Sequence, residues 1–286
     1  MPLQQLVEYF NQWFTEEQGL TQPPLQLNGT RVEGRFGTVH IGSVLQPVRL
    51  AESPALVIGH DASSLIPDAP HGSDSPLREE AWNNGPNIVN FDRLTRTVHM
   101  LNYLPLAHEN GYLFLHVHPQ HVLAVKRDHG AYFEGIIERC GLSTRRVVIT
   151  LQISPIYDRH LVLLLARMRN YRDRGYSTAI KFDARTGEGF IERYCIEFLY
   201  RFTPDFVRFD TRFFPKPARD AENYRRRSSL LLAVRRLDTQ LLIEGVNNEA
   251  DADLAKLLQA DLVKGSHYER NFVPTTDRNL ADTACY

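Results

Sequence analysis

Polar residues close one apolar run after another in this sequence. Asp61 follows Ala55-Leu56-Val57-Ile58, and His116 and His118 sit around Leu113-Phe114-Leu115. Thr150 and Gln152 lie in the next such run. Lys181 and Asp183 follow Ala179-Ile180, Arg208 and Asp210 follow Phe206-Val207, Glu244 follows Leu241-Leu242-Ile243, and Lys264 follows Leu262-Val263. Carboxylates, imidazoles and cations gathered on one rim can hold a metal ion or an anion. The same groups can instead neutralise one another as buried pairs, Lys181 with Asp210 for example. His116-Val117-His118 adds a further option. Alternate strand residues face one side, so the two imidazoles could share a ligand, with Asp61, Asp183 or Glu244 completing the set.

Such a rim needs elements that bring the run ends together. From about residue 92 onward, apolar runs alternate with stretches of helical periodicity at a spacing of roughly 30 residues, the rhythm of βαβ units and a parallel sheet. Strands are expected at 112–117, 147–153, 178–182, 206–209, 240–243 and 261–263. Helices are expected from about Asp92 to Leu104 and at 132–140, 161–171, 190–200, 221–236 and 250–258. In a parallel barrel, ligands bind at the C-terminal strand ends, where these polar residues fall. No GxGxxG or GxxxxGK[ST] follows a strand, which removes support for a dinucleotide or P-loop site.

The residues before this rhythm read differently. Leu3, Leu6, Val7, Phe10, Trp13 and Phe14 recur at helical spacing, ended by Gly19 and Pro23-Pro24. This helix either packs on its own domain or serves a partner. Val32–Ile41 and Val44–Leu50 alternate like two antiparallel strands, and 67–86 is rich in loop residues, His71 and Asp74 among them. The expected organisation is a helical extension over 1–28, a barrel over 29–273 and a polar tail over 274–286.

Composition narrows the function. The chain has 286 residues, 43% of them hydrophobic, enough for one large core, and its net charge of −1 gives no reason to expect a nucleic-acid polymer as partner. Cys140, Cys195 and Cys285 form no CxxC pair, a reduced, cytoplasmic pattern. No run approaches the ~18 apolar residues of a membrane span, and no signal peptide is expected at the N-terminus.

The strand ends, in this order, resemble those of the EAL domain family of cyclic-di-GMP phosphodiesterases. Leu242-Ile243-Glu244-Gly245-Val246-Asn247, followed by Asp261-Leu262-Val263-Lys264-Gly265-Ser266-His267-Tyr268, is similar to the family's AEGVE and QGY segments. Pro204-Asp205-Phe206-Val207-Arg208-Phe209-Asp210 resembles PDxxKxD, and Gly175 to Gly187 lines up with the segment ending in DDFGTG. His116-Val117-His118-Pro119 takes the place of an Asn-x-Ser-Pro strand end. Gln46-Pro47-Val48 and Gly59-His60-Asp61-Ala62-Ser63 are similar to QPI and to the EAL signature. The resemblance spans roughly 37 to 271 and implies a (β/α) TIM-like barrel of the EAL type, here with an N-terminal amphipathic helix.

In that family, carboxylates and an Asn hold two divalent ions that polarise the phosphodiester for attack by a bound water. Carried over position by position, the signature Glu is Asp61 and the Leu-Leu-Arg after it is Ser63-Ser64-Leu65. The Asn is His116, and the next Glu is Thr150, or Gln152 if the register slips. The Asp-Asp pair is Lys181-Phe182, with Asp183 one place late. The Lys is Arg208, the kept Glu is Glu244, the following one is Asn247, the Gln is Lys264, and Ser266 replaces an aromatic. A lost Asp and Glu and a gained Lys leave two divalent ions short of negative charge, so no catalytic and no metal-binding residues are expected. Three functions are then open. The first is an inactive regulator acting through an unidentified protein partner. The second is a non-hydrolytic cyclic-di-GMP receptor using Asp61, His116, Lys181, Asp183, Arg208, Asp210, Glu244 and Lys264. The third is a phosphodiesterase with a remodelled site on Asp61, His116, Asp183, Asp210 and Glu244, the one case that would need Mg or Mn as cofactor. A homodimer is implied by analogy alone.

Overall fold

The computed structural model describes residues 2–18, 22–65, 85–108, 110–125, 129–182, 190, 194–214 and 221–271. Asp183, His71, Asp74, Cys285 and the tail over 274–286 lie outside them.

Alternation of apolar and polar residues builds the strands. They are β1 (Leu25–Asn28), β2 (Arg31–Phe36), β3 (Val39–Leu50), β4 (Val57–Leu65), β5 (Tyr112–Val117), β6 (Val147–Ile153), β7 (Ser177–Phe182), β8 (Phe206–Asp210), β9 (Gln240–Glu244) and β10 (Leu262–Lys264). From β4 to β10 neighbours pair in parallel and in sequence order. The antiparallel strand β3 pairs with both β10 and β4 and closes the ring, giving an eight-stranded barrel. β1 and β2 extend β3 as a small antiparallel lobe outside it. The helices are α1 (Leu3–Gln18), α2 (Gly85–Tyr103), α3 (Pro119–Ala124), α4 (Ala131–Arg139), α5 (Leu161–Asp173), α6 (Ile196–Phe202), α7 (Ala221–Arg235), α8 (Glu249–Leu257) and α9 (Ser266–Asn271).

The parallel strands and most helices fall within a few residues of expectation. The differences lie at the N-terminal end. Strand β3 runs unbroken through Gly42, so the turn between the two expected strands falls at Gly37, whose φ of 60° suits glycine. β1 lies inside the expected helical extension over 1–28, beyond the helix end at Gly19 and Pro23-Pro24. Helix α2 begins at Gly85, before Asp92 and inside the expected loop. The amphipathic face of α1 is used internally: Leu6, Val7, Phe10 and Phe14 are buried in the main core. Asn11 fixes the helix to β1 by accepting from the Leu25 N–H and donating to the Leu25 carbonyl, at 2.8 and 2.9 Å. Asn102 does the same between α2 and Val32.

Outward strand residues such as Leu113, Leu115 and Val117 pack under the helices. Inside the barrel, Val48, Phe114, Val148, Ala179, Phe206, Leu242 and Leu262 make a second, closed apolar cluster. Two residues further along β5 to β10 the interior turns polar, because side-chain direction repeats every second residue. This apolar plug is the floor on which the candidate site stands.

Gly265 ties the last two strand ends together. A Cβ there would lie 2.0 Å from the Val246 carbonyl oxygen, so the backbones touch. Val246 N–H donates to the Lys264 carbonyl and His267 N–H to the Val246 carbonyl, both at 3.1 Å. Gly265→Ala forces these segments apart and is expected to cost at least the ~1–3 kcal/mol of overpacking. A urea midpoint equal to wild type would refute this close approach.

Candidate functional site

Above the apolar floor, seven strands deliver one polar side chain each to a common centre. β4 brings Asp61, β5 His116, β6 Thr150, β8 Arg208, β9 Glu244 and β10 Lys264, and β7 adds Lys181. Arg208 is fully buried and organises them. Its Nη1 and Nη2 donate to Oδ1 and Oδ2 of Asp61, each at 2.8 Å, a bidentate pair. Nη2 also donates to Oε2 of Glu244 at 2.6 Å, and Nη1 to Oγ1 of Thr150 at 3.2 Å. Lys264 Nζ reaches Asp61 Oδ2 at 2.5 Å and Glu244 Oε2 at 3.6 Å. Lys181 Nζ reaches Glu244 Oε1 at 2.5 Å, and His116 Nε2 lies 3.3 Å from Asp61 Oδ1. Three cations thus face two carboxylates.

The charges follow from these contacts. Burial pushes the Asp61 carboxyl up, but Arg208, Lys264 and His116 outweigh it and hold it well below the usual range. Burial likewise opposes ionisation of Glu244, and Arg208, Lys264 and Lys181 overcome it. Burial also disfavours charge on Arg208, yet Asp61 and Glu244 raise its pKa further. His116 is lowered, by burial first; Asp61 pulls against that, and Arg208 and Lys181 reinforce it. Neutral His116 leaves the cluster with one net positive charge.

Of the sequence candidates, Asp61, His116, Lys181, Arg208, Glu244 and Lys264 meet here, with Thr150 as the β6 member. The register pairs Thr150 with His116 and Ala179, and Gln152 with Lys181, so Thr150 stands level with the cluster. Two expectations need correction. Lys181 pairs with Glu244 rather than Asp210. Asp210 turns to Arg212, accepting from its backbone N–H at 2.9 Å and from Nε at 2.8 Å, because a short turn follows β8 directly. The two imidazoles of His116-Val117-His118 do not converge on one ligand. His118 caps α3, its Nδ1 accepting from Gln120 N–H at 3.2 Å.

A supporting cluster escaped the sequence reading. Asp92 and Arg96 of α2 form a buried ion pair, and His121 Nδ1 lies 3.1 Å from Asp92 Oδ2. Asp92 also accepts from His118 N–H at 3.3 Å, anchoring the end of β5. Spaced four apart on a helix, Asp92 and Arg96 read as an ordinary surface pair. Only burial, with Arg96 at 1% exposure, marks them as structural. Burial drives His121 down to about 3, with Asp92 opposing and Arg96 adding to the shift.

The donor set among the described residues does not suit two divalent ions. Asp61 and Glu244 each already bind an ammonium and share one guanidinium, and a cation brought among Lys181, Arg208 and Lys264 would be repelled. Among the described residues no group of three or more His, Cys, Asp or Glu could hold a metal.

A parallel barrel closed by one antiparallel strand, with a charged rim at its C-terminal mouth, defines an α/β barrel of restricted type. The EAL domain family matches residues 93–271, and the chain belongs to that family. No curated protein sequence matches it. Solved structures share its fold at low identity. The PaMucR phosphodiesterase in complex with c-di-GMP is 18% identical, covering 78% of this chain and 89% of its own, at a TM-score of 0.55. A c-di-GMP-bound standalone EAL protein from Vibrio cholerae O395 is 16% identical, covering 80% and 91%, at 0.58. The Bacillus subtilis YkuI protein, in complex with c-di-GMP and calcium, is 17% identical, covering 78% and 53%, at 0.59. No helix among the described residues is long and apolar enough to cross a membrane.

Proposed function

We propose that this EAL domain does not hydrolyse cyclic-di-GMP and acts as a regulatory module through contacts with a protein partner or a second copy of itself. One observation carries the reading: Asp61 and Glu244 are both satisfied by Lys181, Arg208 and Lys264, within 2.5–2.8 Å at the closest contacts. The protein's own ammonium groups stand where metal ions would need room. The barrel then serves as a rigid scaffold, and its surface is what a partner meets. Its setting is cytoplasmic, in keeping with the free thiols of Cys140 and Cys195.

A second reading rests on the residual positive charge. Lys181 and Lys264 keep 20% and 12% of their side chains exposed, so they offer donors to a phosphodiester without metal. Calorimetry with cyclic-di-GMP, with and without Mg²⁺ or Mn²⁺, separates the readings when joined to an assay for the linear dinucleotide. The expected result is no turnover and no metal-dependent binding. Saturable metal-independent binding would replace the regulator with a receptor. Turnover would overturn both.

A further inference from the structure

The opposite end of the barrel carries a pocket that the mouth does not use. It has a volume of about 360 Å³ and opens beside the N-terminal ends of β5 and β6. Tyr103, His108, Gly111 and Arg146 supply its polar wall, Leu113 and Leu142 part of its apolar one. The size falls at the lower end of small-molecule sites, roughly 300–1,000 Å³.

Two of its polar side chains, His108 and Tyr103, meet at Gly111. A Cβ on Gly111 would lie 2.8 Å from His108 Nε2 and 2.8 Å from Tyr103 Oη. The His108 ring and the Tyr103 hydroxyl therefore pack directly on the glycine, and a larger residue there would displace them. Tyr103 is 2% exposed, and its hydroxyl has no hydrogen-bond partner among the described residues. A buried hydroxyl without a partner costs about 1–3 kcal/mol, so a ligand that accepts from it is favoured. Burial raises the Tyr103 pKa, with Arg146 opposing, so the hydroxyl stays a donor.

The described residues at the pocket carry charge of one sign. Arg146 donates to the neutral Asn110 side chain at 3.1 Å and lies over the Tyr112 ring, 5.0 Å from its centroid. No acidic residue is among the described lining residues. Behind Tyr103, His60 packs ring to ring at 5.8 Å, its Nδ1 buried and without a hydrogen-bond partner among the described residues. Burial lowers the His60 pKa, and His108 and Arg49 lower it further, as expected in a positive field. Glu109 lies outside the described residues.

We propose that this pocket binds a small organic anion, its acidic head held by Tyr103, His108 and Arg146 and its apolar body against Leu113 and Leu142. The probes are benzoate and phenyl phosphate, with benzamide as the neutral control, titrated into the full chain and followed by protein NMR shifts. Saturable binding in the roughly millimolar range is expected for at least one anion, and the stronger of the two names the head group. Arg146→Gln should weaken it at least about tenfold, through loss of a charge-assisted bond. Tyr103→Phe should weaken it several-fold while leaving the melting temperature equal or higher, since the hydroxyl contributes nothing to the free fold. Gly111→Ala displaces the His108 ring and the Tyr103 hydroxyl and should weaken binding. The proposal is overturned if neither anion saturates, if benzamide binds as well, or if Arg146→Gln and Tyr103→Phe both bind like wild type. Cyclic-di-GMP plays no part in this titration, so its outcome is independent of the reading of the mouth.

Discussion

Asp61→Asn is expected to destabilise the protein by about 3–5 kcal/mol, the usual cost of breaking a buried ion pair from one side. The substitution strands Arg208, which is fully buried, and Lys264, which is 12% exposed, with Glu244 left to serve both and Lys181 as well. The sign of this effect separates two kinds of barrel mouth. Where carboxylates are gathered to hold metal ions, they repel one another in the metal-free protein, and neutralising one relieves that repulsion. Here the carboxylates are the minority charge, so neutralising one exposes repulsion among cations. Glu244→Gln should act likewise, because it releases Lys181 from its 2.5 Å contact. Adding Lys181→Met to Glu244→Gln should recover part of the loss, since the stranded ammonium is then gone. Chemical unfolding of the metal-free protein at neutral pH measures all three. Asp61→Asn as stable as wild type, or a double variant no better than Glu244→Gln, would show that the ion cluster does not support the barrel.

Much of this was legible in sequence because it depends on short-range pattern. The strands from 112 onward announce themselves as apolar runs of strand length, and Glu244-Gly245-Val246 with Lys264-Gly265 marks the last two strand ends. Gly265 shows why that pair is specific: only glycine lets the backbone lie against Val246. Strand position also pointed to Asp61, His116, Lys181, Arg208, Glu244 and Lys264, though it placed Asp210 and His118 beside them as well. What they do there did not follow from it, because pairing across a barrel is a matter of distance between residues far apart in the chain. Arg208 meets Asp61 across 147 positions and Lys264 meets it across 203. Lys181 and Asp210 sit on adjacent strands and were the natural pair by sign. The short turn after β8 gives Asp210 a nearer partner in Arg212, and Glu244 takes Lys181 instead. The Asp92–Arg96–His121 cluster was hidden for the same reason, its members falling on α2 and α3 with nothing local to mark them as buried. β1 was missed because four residues after a Pro-Pro pair carry too little alternation to register.

Acidification is expected to unfold this protein in two stages, and the first belongs to histidine. His121 has a folded pKa of about 3 against an ordinary 6.5, and His116 is lowered as well. The unfolded chain therefore takes up protons below about pH 6.5 that the folded chain refuses, and stability falls as the pH drops. A fully displaced proton gives a slope of about 1.4 kcal/mol per pH unit. His121, 4% exposed and wedged between Asp92 and Arg96, contributes nearly one such proton from below pH 6.5 down towards 3. The second stage begins near pH 4.5, where Glu244 and then Asp61 would protonate in the unfolded chain but are held ionised by Arg208 in the fold. Their stabilisation is complete above that range and is lost as the pH falls through their depressed folded values. Urea unfolding at intervals from pH 7 to 4.5 isolates the first stage. His121→Gln should flatten the slope there by about one proton, since glutamine keeps a polar contact and does not titrate. An unchanged slope in His121→Gln would mean that His121 takes up its proton in the fold, and the α2 cluster would then not hold it neutral. A flattened slope would leave the steeper fall below pH 4.5 intact, as the separate signature of the two carboxylates at the barrel mouth.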